Sequence, residues 1–413
     1  MPRPLIELDS ARRIVHEHAV PLERQDVALE SALGRTLADD VTSSETVPGF
    51  DNSAMDGFAV RARDTEAATA SSPAVMRTVD EARAGRPTRR DLKPGEAIAI
   101  STGAMLPNGA DAVVPIEDVV RAGAEIEVPY RVEPGRYVRA AGEDVHSGQV
   151  VLMAGTSVGP FELGVLASIG RAEVPCVSRP SVRVLTTGDE LLDPHEPLRP
   201  GGVRNTNAYT VPALVRLAGA TMTDVQSVGD EERATGVAVA ATLDCDVAVI
   251  CGGVSVGAHD HVREALRAAG AVELFWGVAL RPGRPTWFGT RAGEAGERKT
   301  LVFGLPGNPV SAIVTFLLFV RPAIRLLCGA DPAQDRLRAV LDESYSKQPG
   351  RTHAVRCRLE LRDDGWHART TGPQGSHVLT SMLGAEGLGI VPSASGGLAA
   401  GERIEVELLP RAI

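Results

Sequence analysis

Residues 246–260, DVAVICGGVSVGAHD, constrain the fold of this chain more than any other segment. They begin with the apolar run Val247–Cys251, whose β-branched residues are typical of a strand buried on both faces of a parallel sheet. Gly252 and Gly253 follow, and HVREALRAAG then predicts a helix. A strand, a glycine turn and a helix N-terminus in this order favour an anion site, because free N–H groups and the helix dipole attract negative charge. An ordinary loop in which Asp260 caps the helix has the same pattern.

Strands and helices alternate over residues 179–328, which predicts a doubly wound parallel sheet in an α/β domain. The predicted strands are 182–187, 221–228, 246–251, 274–280 and 301–303, and the predicted helices are 209–217, 231–243, 262–269 and 310–327. Ligands of such sheets bind beyond the carboxyl ends of the strands. Five loops are predicted to meet there: 187–190, 229–230, 252–253, 281–284 and 304–308.

The remaining segments are richer in short strands. Strand candidates at 75–79, 97–101, 112–115 and 125–128 alternate with Gly and Pro turns, which predicts a β-rich insertion over residues 46–146. Period-two alternation at 353–361, 366–370 and 402–409 predicts a small β-barrel or sandwich over residues 329–413. Apolar residues at helical spacing predict an amphipathic helix over residues 6–20.

Charge and cysteine content narrow the classes of partner. The net charge of −10 argues against nucleic acid and anionic membranes, so an anionic substrate would need a locally basic pocket. The five cysteines are odd in number and widely spaced, which favours reduced thiols in the cytoplasm. The N-terminus lacks the apolar stretch of a signal peptide. The longest apolar run, 310–320, ends at Arg321-Pro322 and is too short to cross a bilayer.

Charged side chains of both signs occupy the predicted loops. Glu190, Asp230 and Asp260 are carboxylates of the kind that hold Mg²⁺ beside a phosphate, although Asp230 and Asp260 also fit helix N-caps. Arg281 and Arg284 flank a Pro-Gly turn, and guanidinium groups bind oxyanions through two parallel hydrogen bonds. The sequence therefore predicts a site that binds both a metal ion and an anion.

Five motifs, in order, carry a family resemblance: FDNSAMDGFAV at 50–60, RAAGEDV at 139–145, TTGDEL at 186–191, GGVSVGAHD at 252–260 and GLPGNPVS at 304–311. Together they resemble the molybdopterin molybdenumtransferase family, which includes the E-domain of gephyrin. The resemblance implies a transferase that inserts molybdate into adenylylated molybdopterin and releases AMP with the help of a divalent cation, Mg²⁺. It also implies a discontinuous first domain, 1–45 with 147–178, and a homodimer whose active sites are shared between subunits. Other enzymes of cofactor biosynthesis are further possible partners.

The same resemblance assigns roles to individual residues. The implied catalytic residues are Asp56, Asp144, Glu190, Asp230 and Asp260, with Glu190 and Asp260 as the metal ligands. The implied substrate-binding residues are Ser101, Thr102, Gly252, Gly253, Ser255, Arg281, Arg284, Pro306, Asn308, Ser311, Arg351 and Ser376. The chain departs from the family at 281–285, where RPGRP replaces the usual KPGKP. The positive charge is kept, but a role that needs a compact ammonium group is put in doubt.

Two alternatives remain open at the level of sequence. One is a pterin-binding scaffold without catalysis, for which loss of the loop carboxylates would be the sign; here they are present. The other is a related molybdopterin adenylyltransferase, a family that generally lacks both the DNSAMDG insertion and the C-terminal β domain.

Overall fold

The α/β sheet lies at the centre of the fold. The structure is a computed structural model that describes residues 4–254, 261–293, 298–333 and 335–410. Six strands form this sheet, in the order Thr221–Val228, Ser181–Thr187, Val247–Cys251, Thr300–Leu305, Trp287–Arg291 and Ala271–Trp276. The first four are parallel, which confirms the prediction. The fifth strand, Trp287–Arg291, runs antiparallel to both of its neighbours. The connection 292–299 is too short for a parallel crossover, which needs a dozen residues or more.

Helices cover both faces of this sheet, as expected for a doubly wound fold. They are Asn207–Leu217, Glu232–Thr242, Val262–Ala268 and the helical run Pro309–Leu327. The central strand Val247–Cys251 is buried at every residue. Val247 and Val249 pack into the apolar cluster on one face, and Ala248 and Ile250 pack into the cluster on the other. The apolar run at this point of the sequence is therefore explained by burial on two faces.

The run Pro309–Leu327, called the core helix below, agrees with the predicted helix 310–327 and extends beyond its apolar part, 310–320. It consists of an α-helix Pro309–Thr315, a π-helical turn Phe316–Val320 and an α-helix Arg321–Leu327. A proline clashes with the preceding helical turn, and the wider π turn accommodates Pro322 without ending the helix. The whole helix has 19 residues and its apolar window has a mean hydropathy of 1.9, so by length and composition alone the helix, unlike the run 310–320, is long enough to cross a membrane. Within the described structure, however, 83% of the apolar window is buried in the protein core.

The segments that precede and follow the insertion pack on each other. Strand Arg24–Ala28 pairs with Glu173–Val177, and Val41–Thr42 pairs with Val150–Leu152. Helix Pro160–Ser168 completes this part, whose apolar cluster draws residues from both segments. The first helix, Leu8–His18, instead packs its apolar face on the core helix of the α/β part. The domain boundaries 1–45 with 147–178 therefore stay a prediction.

The insertion is a twisted sheet of six strands. Their order is Ala112–Pro115, Gly57–Val60, Glu96–Ile100, Ala74–Ala82, Glu125–Val128 and Val120–Ala122. The four strand candidates read from the sequence are all present. Gly57 is needed where two strands approach closely, because a Cβ there would lie 2.0 Å from the carbonyl oxygen of Val114.

The C-terminal part is a closed five-stranded barrel, one of the two predicted forms. The strands run in the order Thr352–Arg362, Gly365–Thr370, Arg336–Leu341, Arg403–Leu408 and Gly387–Val391, and the last pairs again with the first. The short strand Leu280–Arg281 joins the barrel beside Thr352 and His353. This pairing fixes the Arg281–Arg284 turn of the α/β part against the barrel.

Three further pairs of short strands complete the described elements: Asn52–Ser53 with Val138–Arg139, Leu191–Leu192 with Val203–Arg204, and Tyr345–Ser346 with Gly397–Leu398. Short 3₁₀ turns occur at Leu29–Ser31, Ala62–Thr65, Ile116–Asp118 and Leu379–Met382.

Candidate active site

Three glycine-containing loops meet at the carboxyl edge of the parallel strands, which is called the glycine edge below. The backbone N–H of Gly252 donates to the carbonyl of Leu305 at 3.0 Å, so the loops after two neighbouring strands are tied together. Gly252 has a φ of +99°, and a Cβ there would lie 2.7 Å from the carbonyl oxygen of Thr187. A Cβ on Gly307 would lie 3.7 Å from the Cα of Gly252. The bare backbone at this edge leaves room for a ligand to approach the main chain closely.

The predicted residues of the neighbouring loop also lie at this edge. Pro306 is buried directly after its strand, and Asn308 is exposed and precedes the first turn of the core helix. Gly253 follows Gly252 with a φ of +63°, and a Cβ there would lie 2.4 Å from a methyl of Val262. Ser255 and Asp260 lie outside the described residues.

Two buried polar atoms at the glycine edge have no hydrogen-bond partner among the described residues: the hydroxyl of Thr187 and the side-chain oxygen of Asn207. The Asn207 side-chain nitrogen donates to the carbonyl of Gly307 at 2.8 Å, which fixes the orientation of the amide and leaves its oxygen as a free acceptor. An unpaired buried polar group costs about 1–3 kcal/mol. These two atoms therefore favour ligand binding over stability. Thr187 lies in the predicted loop 187–190, but neither Thr187 nor Asn207 was assigned a binding role from the sequence.

Carboxylates surround the loop that follows the strand Ser181–Thr187. The carboxylates of Asp189 and Asp230 each accept a hydrogen bond from the other residue's backbone. The Asp230 N–H donates to the Asp189 carboxylate at 3.0 Å, and the Asp189 N–H donates to the Asp230 carboxylate at 3.3 Å. Asp230 is therefore not the helix N-cap that the sequence also allowed. That role belongs to Glu231, whose carboxylate accepts from the next helical N–H groups. The carboxylate of Glu190 is exposed and lies over Gly188.

The donor chemistry of this loop fits a magnesium ion, because Mg²⁺ binds through one or two carboxylates together with water and phosphate oxygens. Among the described residues no group of three or more acidic, His or Cys side chains converges on one point. The predicted ligand Glu190 is placed at the edge of the sheet, and the second predicted ligand, Asp260, is not described. The metal site stays a prediction.

A cluster of positive charge lies where the α/β sheet meets the barrel; it is called the basic junction and consists of Arg281, Lys347 and Arg351 around His353. His353 is buried and its Nδ1 lies 3.0 Å from the Tyr345 hydroxyl. Burial, and then the positive charges of Arg281, Lys347 and Arg351, lower the pKa of His353 to about 4. The imidazole is consequently neutral at physiological pH.

The cations of the basic junction lack anionic partners. Lys347 donates to three carbonyl oxygens, of Arg351, Ser393 and Ser395, at 3.0, 3.3 and 2.7 Å. Within the described ranges, no carboxylate lies within ion-pair distance of Arg281, Arg284 or Arg351. Unpaired cations that gather in a protein of net charge −10 indicate an anion-binding site.

Two predicted hydroxyl residues, Ser311 and Ser376, lie on elements that pack against the same apolar cluster. Ser311 is buried in the first turn of the core helix. Ser376 lies in the barrel segment 371–382, and Leu379 and Met382 of that segment pack against the cluster that includes the core helix. The Arg281–Arg284 turn also touches this helix, since a Cβ on Gly283 would lie 2.4 Å from a methyl of Thr315. The elements that carry Arg281, Arg284, Ser311 and Ser376 therefore contact one another, and Arg351 precedes the strand that pairs with Arg281.

The predicted residues of the insertion form a second group. The Asp56 carboxylate accepts from the backbone N–H of Thr102 at 2.7 Å and from its hydroxyl at 3.1 Å. Ser101 is half-buried beside them. The backbone N–H of the exposed Asp144 donates to the carbonyl of Val47 at 3.1 Å. Three loops therefore meet at one edge of the insertion sheet, called the acidic edge below.

One chain does not connect the two groups. In the portion of the chain that the structure describes, no hydrogen bond or salt bridge joins residues 48–145 to residues 181–410. Among the described residues, the hydrogen bonds that leave the insertion reach its flanking segments, for example from the backbone N–H of His146 to the side chain of Gln149 at 3.1 Å. The acidic edge and the glycine edge are therefore separate sites, or two halves of a site that a second chain brings together.

Comparison with known proteins covers almost the whole chain. Family models match in three consecutive regions: the MoeA N-terminal region (domains I and II) at 6–170, a probable molybdopterin binding domain at 183–326 and the MoeA C-terminal region (domain IV) at 338–409. Molybdopterin molybdenumtransferase 2 of Mycobacterium tuberculosis is 36% identical over 403 residues, which is 96% of this chain and 97% of that protein. The molybdopterin molybdenumtransferase of Bacillus subtilis is 36% identical over 414 residues, covering 98% and 95%.

The fold agrees with this assignment. The crystal structure of the molybdopterin biosynthesis MoeA protein from Pyrococcus horikoshii OT3 superposes with a TM-score of 0.79 at 30% sequence identity, and the match covers 98% of this chain and 100% of that one. The glycine edge, the acidic edge and the basic junction fall in the three regions that the family models match. The chain therefore belongs to the molybdopterin molybdenumtransferase family.

Proposed function

We propose that this protein inserts molybdate into adenylylated molybdopterin, releases AMP and forms the molybdenum cofactor. The observation that carries the proposal is the basic junction, where Arg281, Lys347 and Arg351 gather around His353 with no described carboxylate at ion-pair distance, together with a glycine edge suited to phosphate. A tetrahedral dianion and a nucleotide-linked pterin are the two kinds of ligand that these neighbouring sites fit. Since the five cysteines are free thiols, we further propose a cytoplasmic location.

The two substrates occupy different parts of the site in this proposal. Backbone N–H groups beside Gly252 hold the phosphates. Arg281, Arg284 and Arg351 neutralise molybdate, and Ser311 and Ser376 donate hydroxyl hydrogen bonds to it. Asp230 keeps the Asp189 loop in place so that Glu190 faces the phosphates. A divalent cation held by Glu190 and Asp260 supplies charge neutralisation at the phosphoanhydride when it is bound.

The proposal includes a homodimer, because one chain keeps the acidic edge apart from the glycine edge. The helix Pro160–Ser168 supports a contact with a second chain. Its only charged residue, Glu162, is used at the N-terminus, where it accepts from the backbone N–H of Gly159, and Phe161 is 84% exposed. A helix that is apolar on all sides belongs in a protein interior or an interface. In the dimer, Asp56 and Asp144 of one subunit act at the glycine edge of the other.

A direct assay tests this function. Purified protein is incubated with adenylylated molybdopterin, molybdate and Mg²⁺, and AMP release and cofactor formation are followed together. Equimolar AMP and active cofactor are expected, both of them dependent on molybdate. Binding of the pterin without turnover would instead identify the scaffold alternative, and consumption of ATP to adenylylate free molybdopterin would identify the adenylyltransferase alternative.

Neutralising the Arg281–Arg284 turn is expected to weaken molybdate binding. The double variant Arg281→Gln/Arg284→Gln loses two cations that no described carboxylate neutralises, and charge-assisted hydrogen bonds contribute about 1.5–3 kcal/mol each. Calorimetric affinity for molybdate should fall by about 100-fold or more, and its dependence on salt should decrease. The double variant Arg216→Gln/Arg267→Gln changes the net charge equally at exposed helix positions and should bind normally. Equal affinity in the two double variants would contradict the role of the turn.

A further inference from the structure

The barrel residue Arg356 has a fully buried side chain, with 0% of its surface exposed. Along the strand Thr352–Arg362, Val355 and Cys357 belong to the apolar cluster inside the barrel, whereas Ala354 belongs to the cluster around the core helix. Because side chains alternate along a strand, Arg356 shares the face of Ala354. Its guanidinium is therefore directed out of the barrel, towards the same side as the core helix that carries Ser311.

The described hydrogen bonds of the Arg356 guanidinium all go to a single segment, residues 373–381, which contains Ser376. Its Nη2 donates to the carbonyls of Pro373 and Gly375, each at 3.2 Å, and its Nε donates to the Ser381 hydroxyl at 3.2 Å. Gln374 adds a second link, since its side chain accepts from the backbone N–H of Arg356 at 2.9 Å and donates to its carbonyl at 3.3 Å. Gly375, the residue before Ser376, is thus held directly by the guanidinium.

The charge of Arg356 is not neutralised by a neighbouring side chain. The three acceptors are two carbonyls and a hydroxyl, and the remaining nitrogen, Nη1, is buried without a partner among the residues that the structure describes. Burying an unpaired charge is costly, and a protein that keeps one at a fixed position usually has an anion near it or needs its geometry. An Arg in the barrel wall could have been replaced by an apolar residue if stability were its only purpose.

We propose that Arg356 is the positioning residue of the oxyanion pocket: it holds the segment 373–381 so that the Ser376 hydroxyl faces Ser311 and Arg351, and its buried charge favours the dianion. This inference rests on the proposed function for the identity of the anion. The holding of the segment, by contrast, is a property of the chain alone. Arg356 does not touch the reacting atoms, and its effect passes through Ser376.

The test compares Arg356→Lys with Gln374→Ala and Arg358→Lys. Lysine keeps the charge but loses the planar fork that reaches two carbonyls and a hydroxyl. Arg356→Lys should raise KM for molybdate about tenfold, with kcat at saturating molybdate and KM for adenylylated molybdopterin nearly unchanged. Gln374→Ala, which leaves the buried charge in place, should act in the same direction with a smaller effect. Arg358→Lys, an exposed position on the same strand, should behave as wild type.

Amide hydrogen exchange of the segment 373–381 provides a readout that needs no turnover. Protection should fall in Arg356→Lys and in Gln374→Ala, and not in Arg358→Lys. Reduced protection together with an unchanged KM for molybdate would overturn the proposal, because the segment would then have no influence on the anion. Unchanged protection in both variants would overturn it as well. A wild-type protein that does not use molybdate would contradict the proposed function, while the exchange experiment would still show whether Arg356 holds the segment.

Discussion

Gly252→Ala is expected to lower turnover by at least about 10²-fold, because the backbone at this position has no room for a methyl group. Its φ is +99°, and the added Cβ would lie 2.7 Å from the carbonyl oxygen of Thr187 and 2.8 Å from its hydroxyl. The turn must move, and the N–H groups that hold the substrate phosphates move with it. A displacement of about 1 Å in an active site costs on the order of 10² in rate. The measurement is AMP release at saturating substrates, with the thermal midpoint of unfolding recorded in parallel.

Gly270→Ala is the control variant, because it introduces the backbone strain of a positive φ without the steric clash expected at Gly252. Gly270 follows the helix Val262–Ala268 with a φ of +82°, and a Cβ there would meet no atom within 4 Å. A left-handed conformation costs a residue with a side chain about 1–2 kcal/mol, so Gly270→Ala should lower the thermal midpoint while leaving turnover near wild type. If Gly252→Ala retained as much activity as Gly270→Ala, the glycine edge would not be a substrate site.

The α/β sheet was predictable because its signal is local. Five consecutive apolar residues, Val247–Cys251, are explained only when both faces of a strand are buried, and the structure buries all five. The insertion strands at 75–79, 97–101, 112–115 and 125–128 and three of the five barrel strands were predicted for a similar reason, since alternation and Gly or Pro turns are visible in short windows, whereas Arg336–Leu341 and Gly387–Val391 were not predicted. The closed barrel was one of two forms allowed, because period-two alternation is the same in a barrel and a sandwich.

Features that depend on distant partners were not predicted. The first helix packs against the core helix, about 300 residues away in the chain, and its amphipathic pattern shows only that some surface covers it. The strand Leu280–Arg281 is two residues long, too short to carry a period, and it exists because Thr352 and His353 lie beside it. The core helix was predicted to reach residue 327, but its sequence does not show why it continues past Arg321: burial of both its halves outweighs the cost of Pro322.

The candidate site shows the same division. Glycines and carboxylates at strand ends are recognisable from the sequence, and the structure places Gly252, Glu190 and Asp230 at one edge of the sheet. The sequence does not show that the hydroxyl of Thr187 and the side-chain oxygen of Asn207 lack partners among the described residues, because an unpaired polar atom is a property of three-dimensional packing. Arg356 did leave a signal: it is a charged residue on the strand face shared with Thr352 and Ala354. Alternation alone does not show that this face is buried.

Two inactive variants should restore activity when they are combined in one dimer: Asp56→Ala at the acidic edge and Glu190→Ala at the glycine edge. Asp56 holds Thr102 by two hydrogen bonds, and Glu190 is the exposed carboxylate beside the phosphate loops. Each single variant should lose at least about 10²-fold in turnover, the effect of removing one electrostatic contact to the transition state. In a mixed dimer with two-fold symmetry, one cleft combines the intact acidic edge of one subunit with the intact glycine edge of the other.

The fraction of wild-type activity that the mixture should recover can be calculated. An equal mixture that exchanges subunits at random contains about half mixed dimers, each with one intact cleft out of two, so the mixture should recover about a quarter of wild-type activity. Mixed dimers isolated with two different affinity tags should recover about half. The rate of AMP release per mole of dimer is the measurement.

A second mixture provides the matched control. Glu190→Ala and Asp230→Ala both alter the glycine edge, so every cleft in their mixed dimer contains a defective glycine edge and no activity should return. If clefts were formed within one chain, the mixture of Asp56→Ala with Glu190→Ala would also remain inactive, since every subunit would carry one defect. Recovery in the first mixture alone therefore requires the insertion of one subunit to act on the sheet of its partner. That arrangement accounts for the absence of described bonds between residues 48–145 and 181–410 in a single chain.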